Sequence, residues 1–189
     1  MNILFVNGCM RQNSRTYSLA SAVLSTLNGN VTEINLEAEH ISPLTIETLH
    51  QRDVLLQEKN LTAPSLRYAN MFAEADTIVL AAPYWDLSFP AAVKAFLEAV
   101  TVTGVTFHYT AEGFPAGLCK AKKLIYVTTA GGLIMNYNLG YDYVKALAQL
   151  YYGIPETVCI KAENLDIIGA DVEAILDAAK KEIPSLLNV

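Results

Sequence analysis

Apolar positions along the chain gather into five short runs of β type, NILFV, VTEINL, TIVLAAP, KLIYVTT and TVCIKA, separated mostly by stretches with helical spacing. The first, third and fourth runs are almost continuously apolar, the pattern of parallel strands covered on both faces. The second alternates, with Thr32, Ile34 and Leu36 on one side, and suits a sheet edge. Between the runs, Tyr17, Ala20, Leu24 and Leu27 recur at the helical period, as do Val93, Phe96, Leu97 and Val100, and then Val144, Leu147 and Tyr151. In the last helix Val172, Ile175, Leu176, Ala179 and Ile183 form the stripe. Asp171 and Glu173 at its start and Lys180 and Lys181 near its end complement the helix dipole. The segment from Glu37 to Leu61 is the least regular; it predicts loop with one helical turn, ahead of a helix around Leu66–Ala75.

Five strands alternating with five helices predict an α/β fold, a doubly wound five-stranded parallel sheet with helices on both faces. The edge character of the second strand favours the order 2-1-3-4-5. In that order ligands bind beyond the C-terminal ends of strands one, three and four, where the topology switches. A length of 189 residues is most simply one domain, 1–189.

Composition narrows the classes of function. Apolar residues make up 52% and charged residues 17%, so much of the apolar surface must be buried in a water-soluble chain. A net charge of −6 disfavours nucleic acid as a partner. No run is long and apolar enough for membrane insertion, since TIVLAAPYW is bounded by Asp76 and Asp86. No basic segment, apolar stretch and small-residue cleavage site open the chain, so a cytoplasmic location is expected. Cys9, Cys119 and Cys159 are odd in number and far apart, which fits neither a disulfide framework nor a metal site.

Three loops fall at the ligand-binding end of the predicted sheet. The first, GCMRQNSRT, places Ser14, Arg15 and Thr16 at the start of a helix, where open N–H groups and the dipole favour a phosphate. Arg11 or Arg15 can pair with such a group. Taken alone, the turn reads equally as a helix capped by Asn13 or Ser14. The second, APYWDLSFP, carries the only Trp beside Tyr84; an aromatic there can lie against a planar ligand or pack beneath the loop. The third, TTAGG, allows close backbone approach to a heterocycle edge, or is a tight turn. Together they describe a site for a mononucleotide with a flat ring system, and FMN fits best.

These segments resemble the flavodoxin-like NAD(P)H quinone oxidoreductases, and within them the bacterial FMN-dependent NADH azoreductases. GCMRQNSRT is similar to the phosphate turn G-S-x-R-x-x-S-x-T. APYWDLSFPAAVKAFLE resembles P-M-Y-N-F-x-x-x-x-x-L-K, and GVTFHYTAEGFPAGLCKAKKLIYVTTAGG carries the phrase G-V-T-F-x-Y-T. The resemblance spans essentially the whole chain. It implies an FMN-containing homodimer that passes a hydride from NADH or NADPH to a small-molecule acceptor, a quinone, azo compound or similar. Ser14, Arg15 and Thr16 would hold the phosphate, with Arg11 as an extra clamp. Pro83, Tyr84, Trp85, Asp86 and Leu87 would line the ring, and Thr129, Ala130, Gly131 and Gly132 its pyrimidine side.

The chain departs from the family pattern in places. Ala130 stands where azoreductases usually have arginine, Asp86 replaces an asparagine, Cys9 a serine, and the phosphate turn is shorter. No nucleophile or general base is required, because the cofactor carries the chemistry. Phe89, Phe107, Tyr109 and Phe114 are candidates to wall a substrate pocket, some across a dimer interface, and Tyr137 to cover it; ordinary packing explains each singly. His108 is the histidine nearest such a pocket. The alternative with the same cofactor is a non-enzymatic, flavodoxin-type electron carrier.

Overall fold

The computed structural model describes residues 1–188. The first strand, β1 (Asn2–Asn7), leads into α1 (Arg15–Thr26), β2 (Asn30–Asn35), the four-residue α2 (Leu36–Glu39) and α3 (Ile46–Gln57). A 3-10 turn then precedes α4 (Arg67–Glu74), β3 (Thr77–Ala81) and α5 (Ala91–Val100). A small hairpin, β4 (Phe107–Tyr109) and β5 (Pro115–Gly117), leads to β6 (Lys123–Thr129), α6 (Leu139–Leu147), β7 (Glu156–Ala162) and α7 (Val172–Leu187). The main sheet is parallel in the order β2-β1-β3-β6-β7, which is the 2-1-3-4-5 winding that the apolar runs predict.

Strand alternation divides the core in two. Ile3, Phe5, Val79, Ile125 and Val127 face Leu19, Ala20 and Val23 of α1 and Leu176 and Ile183 of α7. Leu4, Val6, Ile78, Leu80, Leu124 and Tyr126 face the other way, onto Phe72, Phe96 and Val144. Each such buried side chain contributes about 1.5–3 kcal/mol over an exposed one, so registry is held from both faces.

Two expectations need correction. Residues 37–61 hold a full helix, α3, where loop and a single turn were predicted. The helix is capped at Thr45, whose hydroxyl accepts from the Thr48 N–H at 3.2 Å, but it buries no residue and leaves Ile46 exposed. Of its apolar residues only Leu55 and Leu56 near its end are half-buried, against the cluster of Leu66, Ala69 and Val102, and two adjacent residues make no periodic stripe to read. The segment GVTFHYTAEGFPAG forms an antiparallel hairpin outside the main sheet, an element absent from the predicted winding. On β2, only Ile34 of the alternating set within the strand is buried; Thr32 is exposed.

Candidate functional site

The site lies beyond the C-terminal ends of β1, β3 and β6. Gly8 opens the first loop, its N–H donating to Ala81 O at 2.7 Å. A Cβ at Gly8 would lie 2.8 Å from that oxygen and 2.6 Å from a Val93 methyl, so only glycine lets β1 leave the sheet this close to β3. The Asn7 carboxamide steadies the turn by accepting from the Cys9 N–H at 3.0 Å while donating to Glu33 at 2.8 Å. Burial pushes the Cys9 thiol up to about 11, against a smaller lowering by the Ser14 hydroxyl. At neutral pH it is an unreactive packing group.

Ser14 is the cap of α1: its hydroxyl accepts from the Tyr17 N–H at 3.2 Å, and its carbonyl accepts from Ser18. Capping therefore satisfies Tyr17 and Ser18 and leaves the N–H groups of Arg15 and Thr16 open at the helix N-terminus. Helix capping and anion binding are compatible uses of one turn. The Thr16 hydroxyl is buried and shared with Thr129, Oγ1 to Oγ1 at 2.6 Å. Arg15 reaches away to the loop after β7, where its Nη1 donates to Leu165 O at 3.1 Å and Asp166 Oδ1 at 2.7 Å. Arg11 is exposed, with no ion pair among the described residues.

The second loop is a two-residue hairpin. Trp85 and Ser88 exchange N–H···O bonds of 3.1 and 2.8 Å, and Asp86 (φ 50°) and Leu87 (φ 67°) take the left-handed conformation between them. Such a turn points its central N–H groups outward; those of Asp86 and Leu87 have no acceptor among the described residues. Tyr84 ties the loop down by donating its hydroxyl to Tyr137 O at 3.0 Å and its N–H to Thr129 O at 3.0 Å. Trp85 remains 38% exposed.

The third loop is latched to the loop after β7. Ala130 N–H donates to Ala162 O at 2.9 Å, and Leu165 and Asp166 N–H donate to Ala130 O and Gly131 O at 3.2 and 2.9 Å. Glu163 accepts from the Ile134 N–H at 2.7 Å and pairs with Lys161 at 2.8 Å. Burial works to raise the Glu163 carboxyl, but Lys161 and the Ile134 N–H outweigh it and hold it below the usual range. The N–H groups of Gly131 and Gly132 are left without acceptors among the described residues.

These loops enclose a cavity of about 370 Å³, within the range of about 300–1,000 Å³ typical of small-molecule sites. Arg11, Ser14, Arg15 and Thr16 line one end, Pro83, Tyr84 and Trp85 a second side, and Thr129, Ala130 and Gly131 the floor. Asp86, Leu87 and Gly132 do not line it. Sequence reading missed Met10, Asn13, Leu165 and Asp166, which do. Leu165 and Asp166 follow the fifth strand, whose loop opens at the same sheet edge; that position was the available signal. A second hollow of about 560 Å³ shares Met10 and Arg11 but presents Glu33 and Glu37, carboxylates that repel a phosphate.

The aromatic candidates lie elsewhere in this chain. Phe107 is buried on β4 between Tyr109 and Tyr151, with ring centroids 5.4 and 4.9 Å away, and Phe89 packs on Tyr143. Tyr109 and Phe114 are exposed on the hairpin, as is His108. None of them lines the cavity: the hairpin stands apart from the main sheet, and Phe89 turns to Tyr143.

A parallel sheet wound 2-1-3-4-5, with its cavity over the switch point, defines a flavodoxin-like protein. The family model described as having a flavodoxin-like fold matches residues 1–187, and the chain belongs to this family. It is 42% identical over 154 residues to the FMN-dependent NADH:quinone oxidoreductase of Lachnoclostridium phytofermentans, covering 80% of this chain and 77% of that one. It is 38% identical over 173 residues to FMN-dependent NADH:quinone oxidoreductase 2 of Clostridium acetobutylicum, covering 86% and 85%. Among solved structures, an azoreductase from Bacillus anthracis superposes with a TM-score of 0.84 at 24% identity, over 100% of this chain and 99% of that one.

Proposed function

We propose that the protein is an FMN-dependent oxidoreductase that takes a hydride from NADH or NADPH and passes it to a quinone, azo compound or similar acceptor. The observation that carries this reading is the cavity itself, in which an open helix N-terminus, an exposed indole and a glycine loop meet. The donor set fits FMN. The N–H groups of Arg15 and Thr16, with Arg11 beside them, suit a terminal phosphate. Trp85 offers a flat face to a ring, and the open N–H of Gly131, which lines the cavity, can donate to its carbonyl edge.

When bound, FMN supplies the two-electron chemistry that connects donor and acceptor. The chain's part would be to hold the cofactor by its terminal phosphate and by one edge of its ring. Trp85 would lie against the ring, and Tyr84 steadies the loop that carries it by its bonds to Tyr137 O and Thr129 O. Because no dinucleotide glycine fingerprint follows β1, donor and acceptor would use the same face of the ring in succession. The family relatives are named for NADH, which makes NADH the donor to test first.

The purified protein should show a two-band flavin spectrum and oxidise NADH with a quinone along parallel initial-rate lines. A colourless protein that does not take up added FMN overturns the reading, and a flavin-loaded protein without turnover returns it to an electron carrier. The reading includes a homodimer, supported by exposed Phe114, Leu133, Met135, Tyr137, Leu139 and Leu150. In such a dimer the hairpin aromatics of one copy can meet the cavity of the other, and light scattering on the eluted protein tests it. A cytoplasmic location is supported by the three free thiols. No helix among the described residues is long and apolar enough to cross a membrane.

A further inference from the structure

Arg15 occupies the first position of α1, where the proposed function needs positive charge, yet its guanidinium is already engaged. Nη1 donates to Asp166 Oδ1 at 2.7 Å and to Leu165 O at 3.1 Å. Asp166 is held in its turn. Its N–H donates to Gly131 O at 2.9 Å, and its Oδ2 lies so close to Gly131 that a Cβ there would stand 2.3 Å from it. A single carboxylate therefore touches both the arginine of the phosphate turn and the glycine loop, inside one cavity.

Stability is a poor explanation for this pair. The two side chains are 41% and 70% exposed, and ion pairs so exposed add little to folding. Position is what distinguishes it. Asp166 is the one carboxylate among the described residues lining the cavity, which Arg11 and Arg15 also line. A phosphate approaching Arg15 meets a like charge already bonded to that guanidinium.

Resting on the reading of the cavity as a flavin phosphate site, we propose that Asp166 is a built-in competitor of the cofactor's phosphate. It neutralises Arg15, holds it against the loop after β7, and so sets how much a terminal phosphate adds to flavin affinity. The phosphate then relies on the open N–H groups of Arg15 and Thr16 and on Arg11. Asp166 is in this sense a positioning residue that governs discrimination between a phosphorylated flavin and its unphosphorylated counterpart.

The test compares FMN with riboflavin, binding each to the flavin-free full chain and following the quenching of flavin fluorescence. Asp166→Asn keeps a hydrogen-bond acceptor for Arg15 and removes the charge. FMN affinity should rise about three- to tenfold at low salt, from removal of one like charge beside a dianion, and the gain should shrink at high salt. Riboflavin affinity should stay within about twofold, since it carries no charge for Asp166 to repel. Inorganic phosphate should raise the melting temperature of the flavin-free variant more than that of the flavin-free wild type. Equal weakening of both flavins would mean that the carboxylate accepts a hydrogen bond from the ligand, and overturns the proposal. So does an unchanged ratio of FMN to riboflavin affinity. Asp166→Ser serves as a second variant if the asparagine form does not fold. If the wild type binds neither flavin, the reading of the site fails, while the phosphate arm still tests the competitor.

Discussion

The Thr16 and Thr129 hydroxyls meet at 2.6 Å in the buried seam between α1 and β6, joining the turn after β1 to the glycine loop. Each is satisfied by the other, so the bond sets the spacing of two walls of the cavity.

Thr16→Val should cost about 1–3 kcal/mol, because it leaves the Thr129 hydroxyl buried without its partner. Thermal denaturation of the flavin-free protein reads this as a fall of about 2–4 °C per kcal/mol. Replacing both threonines by valine should recover part of the loss. A double variant that loses the sum of the single losses would show that the two hydroxyls are not coupled.

The 85–88 hairpin holds Leu87 at a φ of 67°, a region that glycine enters freely and a leucine does not. Leu87→Gly should therefore leave the fold as stable or gain about 0.5–1 kcal/mol in urea unfolding. If the left-handed leucine serves to hold the turn in register for the ring, FMN binding should weaken in the same variant. Stability lost together with unchanged binding would assign Leu87 to packing.

Trp85→Ala should weaken FMN binding by about 1–3 kcal/mol, the usual worth of an aromatic platform under a flat heterocycle. Fluorescence titration measures it, with Tyr84→Phe as a companion. The phenylalanine keeps the ring of Tyr84 and removes only the bond to Tyr137 O, so it should loosen the turn with a smaller effect on affinity. Unchanged affinity in Trp85→Ala would make the indole structural.

Burial pushes the thiols of Cys9 and Cys159 up to about 11 and that of Cys119 up to about 12. A raised folded value means that the unfolded chain gives up its protons first. The stability from neutral thiols is therefore whole below the unfolded value of about 8.5 and is lost as pH rises toward the folded values. Buried Tyr126 and Tyr152, raised chiefly by desolvation, add to the same trend at higher pH. Urea midpoints should be flat to about pH 8 and fall above it, and all three thiols should resist a thiol reagent at neutral pH until denaturant is added. Rapid labelling of the native protein would contradict this.

Much of the architecture was legible along the chain because buried strands advertise themselves. The runs at residues 2–6 and 77–83 are apolar on both faces, and that admits few arrangements besides a covered parallel sheet. Helix α3 was illegible for the converse reason, since none of its residues is fully buried and, of its apolar ones, only the adjacent Leu55 and Leu56 are half-buried. The 107–117 hairpin was hidden by a segment of mixed character, in which Phe107 packs on Tyr151 and Phe114 is left exposed.

For the site, local order in the sequence determined the three loops, since a strand that ends in GCMRQNSRT, APYWDLSFP or TTAGG delivers those groups to one edge wherever the strand sits. Tertiary structure alone decided which of these groups remain open. Ser14 spends its hydroxyl on Tyr17, Thr16 and Thr129 spend theirs on each other, and Arg15 is claimed by Asp166, 151 residues away. Hydrogen bonds and ion pairs are made to whatever the fold brings within reach, and a chain read in order carries no record of those distances.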